Sequence, residues 1–186
     1  FSSMQRSAQF KTSDRKWYSS TCLISRSSEN DFLFETLDGQ TERMTNAASS
    51  QAGIMQDIYR NFNNRLIVGA AFWYQINRRE IPPSLTTKPS DIKQKDESIR
   101  SMITVQRLFS SNYRVSFRSA YFNDDFSYHD PEKVTSNIID SEIKTGSINT
   151  ELEYDHHFSS RSKINAGISL VHQLGSSINW NGDVRQ

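Results

Sequence analysis

The sequence predicts an all-β fold: an antiparallel up-and-down transmembrane β-barrel segment of about eight strands, with short turns and long loops in alternation. Three observations predict it. Four short turns each open on a phenylalanine: Phe10-Lys11-Thr12-Ser13-Asp14-Arg15, Phe62-Asn63-Asn64-Arg65, Phe109-Ser110-Ser111-Asn112 and Phe158-Ser159-Ser160-Arg161. They recur about every fifty residues, as a repeated hairpin unit does. Between them lie long polar stretches near 27–42, 77–97 and 126–146, rich in turn formers such as Asp38-Gly39, Pro82-Pro83, Lys88-Pro89 and Asp130-Pro131. The segments joining turns to loops alternate apolar and polar residues with period two.

The first, second, third and fifth strands are legible only from that spacing. Arg6 and Arg107 interrupt apolar faces, and Trp17, Tyr18, Cys22, Leu23 and Ile24 choose no side. Over 66–76 the pattern is plain: Leu66, Val68, Ala70, Phe72, Tyr74 and Ile76 against Gly69, Ala71, Gln75 and Asn77, with Ile67 and Trp73 as exceptions. Tyr113, Val115, Phe117 and Tyr121 oppose Arg114, Ser116 and Arg118. Ile148, Thr150, Leu152 and Tyr154 oppose Asn149, Glu151, Glu153 and Asp155. The clearest strand, 163–172, sets Ile164, Ala166, Ile168 and Leu170 against Asn165, Gly167 and Ser169. Residues 90–100 could form one amphipathic helical turn, although a polar loop fits their composition better.

Composition agrees with such a wall. Only 35% of residues are hydrophobic and the mean hydropathy is −0.68, yet aromatics reach 11%. A barrel strand needs only alternate apolar residues, and its loops stay polar. No run approaches the length of a membrane helix, which a strand of about 9–11 tilted residues does not require. The formal net charge of +1 offers no basic surface for nucleic acid, so no nucleic-acid partner is expected. Cys22 is the sole cysteine, so no internal disulfide can form, and it reads as a small wall or core residue. The chain begins at Phe1 and ends in the polar Asp183-Val184-Arg185-Gln186, so it reads as an internal segment of a longer protein.

No phosphate loop or catalytic pattern is present, and the chain is not expected to be an enzyme or to carry a cofactor. His156 and His157 are adjacent, so a strand points them to opposite faces and they make a poor metal pair. Asp124, Asp125 and Asp130, with Glu132, supply carboxylate oxygens densely enough to be candidate calcium ligands, although their spacing matches no EF-hand. Arg78 and Arg79, beside the stiff Pro82-Pro83 segment, and Tyr128 and His129 in the neighbouring loop are candidate ligand-binding residues. Rigid loops lose less entropy on binding.

Several stretches together resemble a known family. They are Lys16-Trp17-Tyr18-Ser19-Ser20-Thr21, Asn30-Asp31-Phe32, Arg43 with Asn46-Ala47 and Gln51, Gly53-Ile54-Met55-Gln56, Arg79-Glu80-Ile81-Pro82-Pro83 and Ser119-Ala120-Tyr121-Phe122. In content and order they resemble the barrel of TonB-dependent outer-membrane receptors, most closely over 16–130. The branch they are most similar to is the vitamin B12 (cobalamin) receptor, with siderophore receptors next. The resemblance implies a 22-stranded barrel around an N-terminal plug, in the Gram-negative outer membrane. It implies import of a scarce ligand, cobalamin or another metal chelate, driven through TonB, with lipid around the wall. Residues 1–186 would then be a partial barrel domain without the plug and terminal strands. The competing expectation is a complete eight-stranded barrel acting as anchor, adhesin or pore.

Overall fold

A computed structural model describes residues 2–36, 38–63, 65–83, 91–131, 139–159, 161–179 and 182–185. Lys88, Pro89, Ser90, Glu132 and the turn positions Asn64 and Ser160 lie outside them. The described residues form strands and connections with no helix. Eight long strands, β1 (Ser3–Ser13), β2 (Trp17–Ser28), β5 (Ser49–Asn61), β6 (Leu66–Glu80), β7 (Lys93–Leu108), β8 (Tyr113–Asp130), β9 (Ile139–His157) and β10 (Lys163–Asn179), pair in that order. A short β11 (Gly182–Arg185) joins beyond β10, and β3 (Leu33–Glu35) and β4 (Thr41–Arg43) make a separate hairpin. Every pairing is antiparallel, and the sheet is open, with β1 at one edge and β10–β11 at the other.

Antiparallel order places the turns near 14–16, 62–65, 109–112 and 158–162 at one end of the sheet and all the longer connections at the other. Local chemistry shapes the turns. The Asp14 carboxylate accepts from the Lys16 and Trp17 amides at 2.6 and 2.9 Å. Those bonds, the Lys16 amide's foremost, hold its carboxyl below the ordinary carboxylate value. Asn63, Ser110 and Ser159 make the equivalent side-chain bond to the amide two residues on.

Register fixes the two faces, because directly paired residues share a side. Ile168 pairs with Leu152, Leu152 with Phe117, Phe117 with Val105 and Val105 with Val68. This face therefore gathers the apolar sets of β6 to β10, and through Ile54 and Leu23 it continues to Ala8 in β1. Leu23 and Trp17 thus stand on the apolar side, with Tyr18, Cys22 and Ile24 opposite. Gln56 intrudes on the apolar side, but it accepts from Thr21 Oγ1 at 2.5 Å and donates to Ser19 Oγ at 2.9 Å. The polar trio satisfies itself.

Aromatic rings bound this apolar stretch. Near the short turns, Phe109 stacks on Tyr113 at 5.2 Å and His156 on Phe158 at 4.2 Å, with Tyr154 and Trp17 on the same face. Eight residues further along β6 and β8 come Tyr74 and Tyr121. That spacing is roughly 27 Å along a strand, or about 20 Å along the normal of a tilted wall.

Beyond Tyr74 and Tyr121 the structure departs from expectation. Most of the described residues in the stretches near 77–97 and 126–146 are strand, since β6 runs to Glu80, β7 starts at Lys93, β8 runs to Asp130 and β9 starts at Ile139. Residues 93–100 belong to β7, so the helical turn does not form there. Both faces are polar at this height, and alternation, the signal of a half-buried strand, disappears while the backbone ladder continues. The first long connection holds the β3–β4 hairpin, which turns at Gly39 with φ +74° inside the expected Asp38-Gly39 pair.

No hydrophobic side chain among the described residues is fully buried. The most enclosed positions, Ser20 and Asp155 at 5% exposure and Gly69, all stand on the polar face. A Cβ at Gly69 would meet Thr104 Oγ1 at 2.5 Å and the Tyr59 ring at 2.7 Å. Glycine is required there because a neighbouring ring lies across the backbone.

Candidate functional site on the polar face

In the half of the polar face nearer the short turns, oppositely charged side chains bridge neighbouring strands. Arg114 donates to Asp155 from Nε at 3.1 Å and from Nη2 at 2.5 Å, and Asn165 donates to the same carboxylate at 2.7 Å. Arg118 reaches Glu151 at 3.1 Å and Glu153 at 2.7 Å. Higher up, the Arg100 guanidinium lies 4.5 Å from the Trp73 ring centre and 6.0 Å from that of Phe122, and 3.7 Å from Asp124. Trp73 is thus an exception to polar alternation because it stacks on a cation.

Near the long connections, cross-strand rows build a hydrophilic concavity of about 500 Å³. One row pairs Ser3, Ser28, Ser49, Arg79, Gln94 and Tyr128 across six strands, and its first four members line the concavity. The row beneath it runs Gln5, Arg26, Gln51, Asn77 and Asp96. Arg79 approaches Asp96 at 3.6 Å, and Gln94 Nε2 donates to the Asp96 carboxylate at 3.1 Å. Desolvation, then the Asp130 charge, raises the Tyr128 phenol above its ordinary value, so it stays a neutral donor at neutral pH. Hydroxyls, amides and the guanidiniums of Arg26, Arg78 and Arg79 make this a surface for a polar ligand with acceptor oxygens.

The four expected ligand residues therefore divide. Arg79 and Tyr128 share the polar face and a single row, joined through Gln94. Arg78 and His129 stand on the opposite face, where Arg78 pairs with Lys95 and His129 contacts Asp140. Adjacent residues on a strand point apart, yet Arg78 still lines the concavity beside Arg79, whereas Tyr128 and His129 do not line it.

The carboxylate cluster does not converge either. Asp124 and Asp125 occupy opposite faces, and Asp130 lies six residues along β8 from Asp124. Asp124 instead accepts from Ser98 Oγ at 2.5 Å and neighbours Arg100. Asp124, Asp125 and Asp130 share no common coordination position, and no group of three metal-ligating side chains is found among the described residues.

Sequence reasoning missed the Ser3, Ser28 and Ser49 side of this concavity, because serines inside strands carry no signal of their own. Register would have found them: counting away from each short turn brings these positions to one height.

The base of the long connections is also built. Asn46, at φ +51°, donates from Nδ2 to the carbonyls of Ile81 at 2.9 Å and Ile92 at 3.1 Å. Asn30, also at φ +51°, donates to the Ala47 carbonyl at 2.8 Å, and Arg43 pairs with Asp31 at 2.6 Å. The residues behind the family resemblance thus hold the β3–β4 excursion against the connection after β6.

No protein-family model matches the sequence, and the curated proteins searched contain no significant match.

Proposed function

We propose that this chain is a stretch of wall from an outer-membrane transport barrel of the TonB-dependent receptor type. In this reading the apolar face meets lipid, the charged face lines the lumen, the short turns lie in the periplasm and the long connections lie outside the cell. One observation carries it. Among the described residues, a single-layer sheet with no buried apolar side chain presents an apolar band between two levels of aromatic rings, and its other face is bridged by ion pairs. A layer of that kind must bury its apolar face against something, and a bilayer fits the height and the rings. Among the large apolar side chains left exposed in the main sheet, sixteen stand on this face and six on the other.

The imported ligand would be a scarce polar chelate such as cobalamin or a ferric siderophore, met by the concavity around Arg26, Asn77 and Arg79, with Tyr128 further along the Arg79 row. The resemblance over 16–130 supports the receptor type, with TonB as the energy-coupling partner. Nothing in the ion-paired face calls for bond making or breaking, and the proposed activity is passage.

The test is binding by the whole receptor. Arg79→Ala and Tyr128→Ala should each weaken binding by about 1–2 kcal/mol if they are buried anchors. His129→Ala, on the other face and outside the concavity, should leave it unchanged. Abundance at the cell surface serves as the control. Equal loss from all three variants, or from none against both cobalamin and ferric siderophores, would remove the concavity from the transport path.

A further inference from the structure

The near-neutral total charge hides a separation along the strands. The first short-turn region carries Lys11, Arg15 and Lys16, the second Arg60 and Arg65, the third Arg107 and the fourth Arg161 and Lys163. Asp14 is the single carboxylate in those four segments, and it is engaged in capping its own turn. At the opposite end, carboxylates outnumber lysines and arginines among the described residues.

Placement at the turn rim is specific. Arg60 and Arg107 stand on the apolar face, each two residues before a turn phenylalanine, and both are exposed. The Arg60 guanidinium lies 4.8 Å from the centre of the Phe62 ring, and that of Arg107 4.7 Å from Phe109. Arg60 also pairs across the ladder with Trp17, and Arg107 with Leu66. Each guanidinium is thus held at the level of the aromatic belt, directly beneath the apolar band, with hydrogen-bond donors still free to face a ligand. The His156–Phe158 stack occupies the corresponding place at the fourth turn.

We propose that this rim is a binding belt for anionic phospholipid, with Arg60 and Arg107 gripping headgroup phosphates. This rests on the reading of the sheet as a bilayer-spanning wall. Two features favour lipid over a soluble polyanion. Arg60 and Arg107 border the apolar band on two neighbouring hairpins, so a ligand that meets them also meets apolar surface. A guanidinium matches phosphate with paired donors, and its stacking on a ring leaves those in-plane donors available. An excess of cations at one membrane level draws anionic headgroups at about five-fold per charge.

The experiment uses the complete receptor in bilayer discs holding equal phosphatidylglycerol and phosphatidylethanolamine, with mass spectrometry of the lipids retained after mild detergent extraction. Retained lipid should favour phosphatidylglycerol. The preference should fall at least about five-fold in the Arg60→Gln/Arg107→Gln variant. It should fall less in Arg60→Lys/Arg107→Lys, which keeps the charge but loses the paired donors, and should persist in Lys93→Gln/Lys144→Gln at the other rim. Independently of any variant, the preference of the unaltered receptor should decline as salt rises from about 0.01 to 0.5 M. Equal retention of the two lipids by the inserted receptor overturns the proposal and leaves the barrel reading standing. An undiminished preference in the Arg→Gln pair, or one insensitive to salt, overturns it too. A receptor that does not enter the bilayer overturns both.

Discussion

The two halves of each long strand obey different chemistry although one hydrogen-bond ladder runs through both. Toward the short turns, β8 reads Tyr113, Val115, Phe117 on one face and Arg114, Ser116, Arg118 on the other. Past Tyr121 the same strand sets Asn123, Asp125 and Ser127 on the first face, and Asp124 with Phe126 and Tyr128 on the second. Backbone pairing alone sustains a strand. Alternation records only what each face touches. The change at Tyr74 and Tyr121 marks where, on the proposed reading, the wall leaves the bilayer.

The largest expected effect tests that boundary directly. Ile168, 70% exposed on the apolar face, lies within the band, whereas Ile178 on the same face of β10 lies beyond it. Ile168→Arg should cost about 2–4 kcal/mol in folding titrations of the complete barrel in lipid if it sits near the midplane. Ile178→Arg should cost no more than about 1 kcal/mol, as near an interface. Equal costs would erase the distinction between the halves.

A second, smaller effect concerns the polar face inside the same band. Gly69→Ala would bring its Cβ to 2.5 Å from Thr104 Oγ1 and 2.7 Å from the Tyr59 ring. Displacing that ring should cost about 1–3 kcal/mol, the range for overpacking. Gly146, in the outer half of β9, would meet nothing closer than 3.9 Å, so Gly146→Ala should be nearly neutral. Both are read from the same lipid titration, and the reverse order would mean that Tyr59 does not cover Gly69.

The half that alternates is also the half that was legible in the sequence. Facing over 66–76 and 163–172 followed from period two, and turn position followed from Phe62, Phe109 and Phe158. The outer halves of β7 and β9 were read as loop because Lys93, Lys95, Glu142 and Lys144 give a strand no apolar face to announce. Candidate ligand residues fared the same way. Arg79 and Tyr128 were found as conspicuous side chains, but their separation from Arg78 and His129 is a fact of parity that only a strand assignment supplies. The serines of the same row carried no local mark, and only register across six strands brings them together.

The smallest effect lies at the far end, where the outer halves meet the connections. Asn46 donates two hydrogen bonds to carbonyls 35 and 46 residues away and holds φ +51°, a conformation that alanine resists. Asn46→Gly removes the bonds and keeps the backbone freedom; Asn46→Ala removes both. Each lost bond is worth about 0.5–1.5 kcal/mol net, exerted on the docking of the 29–48 excursion rather than on the strand ladder. Asn46→Gly should therefore leave the barrel's lipid titration almost unmoved while hydrogen exchange quickens at the Met44 and Glu80 amides, which donate to Phe32 and Ala48 at 2.8 Å each. Asn46→Ala should quicken it further, by the added backbone strain. Unaltered exchange at both amides would mean that the excursion is held by Glu80, the Asn30–Ala47 bond and the Arg43–Asp31 pair, and that the outer half does not owe its order to this asparagine.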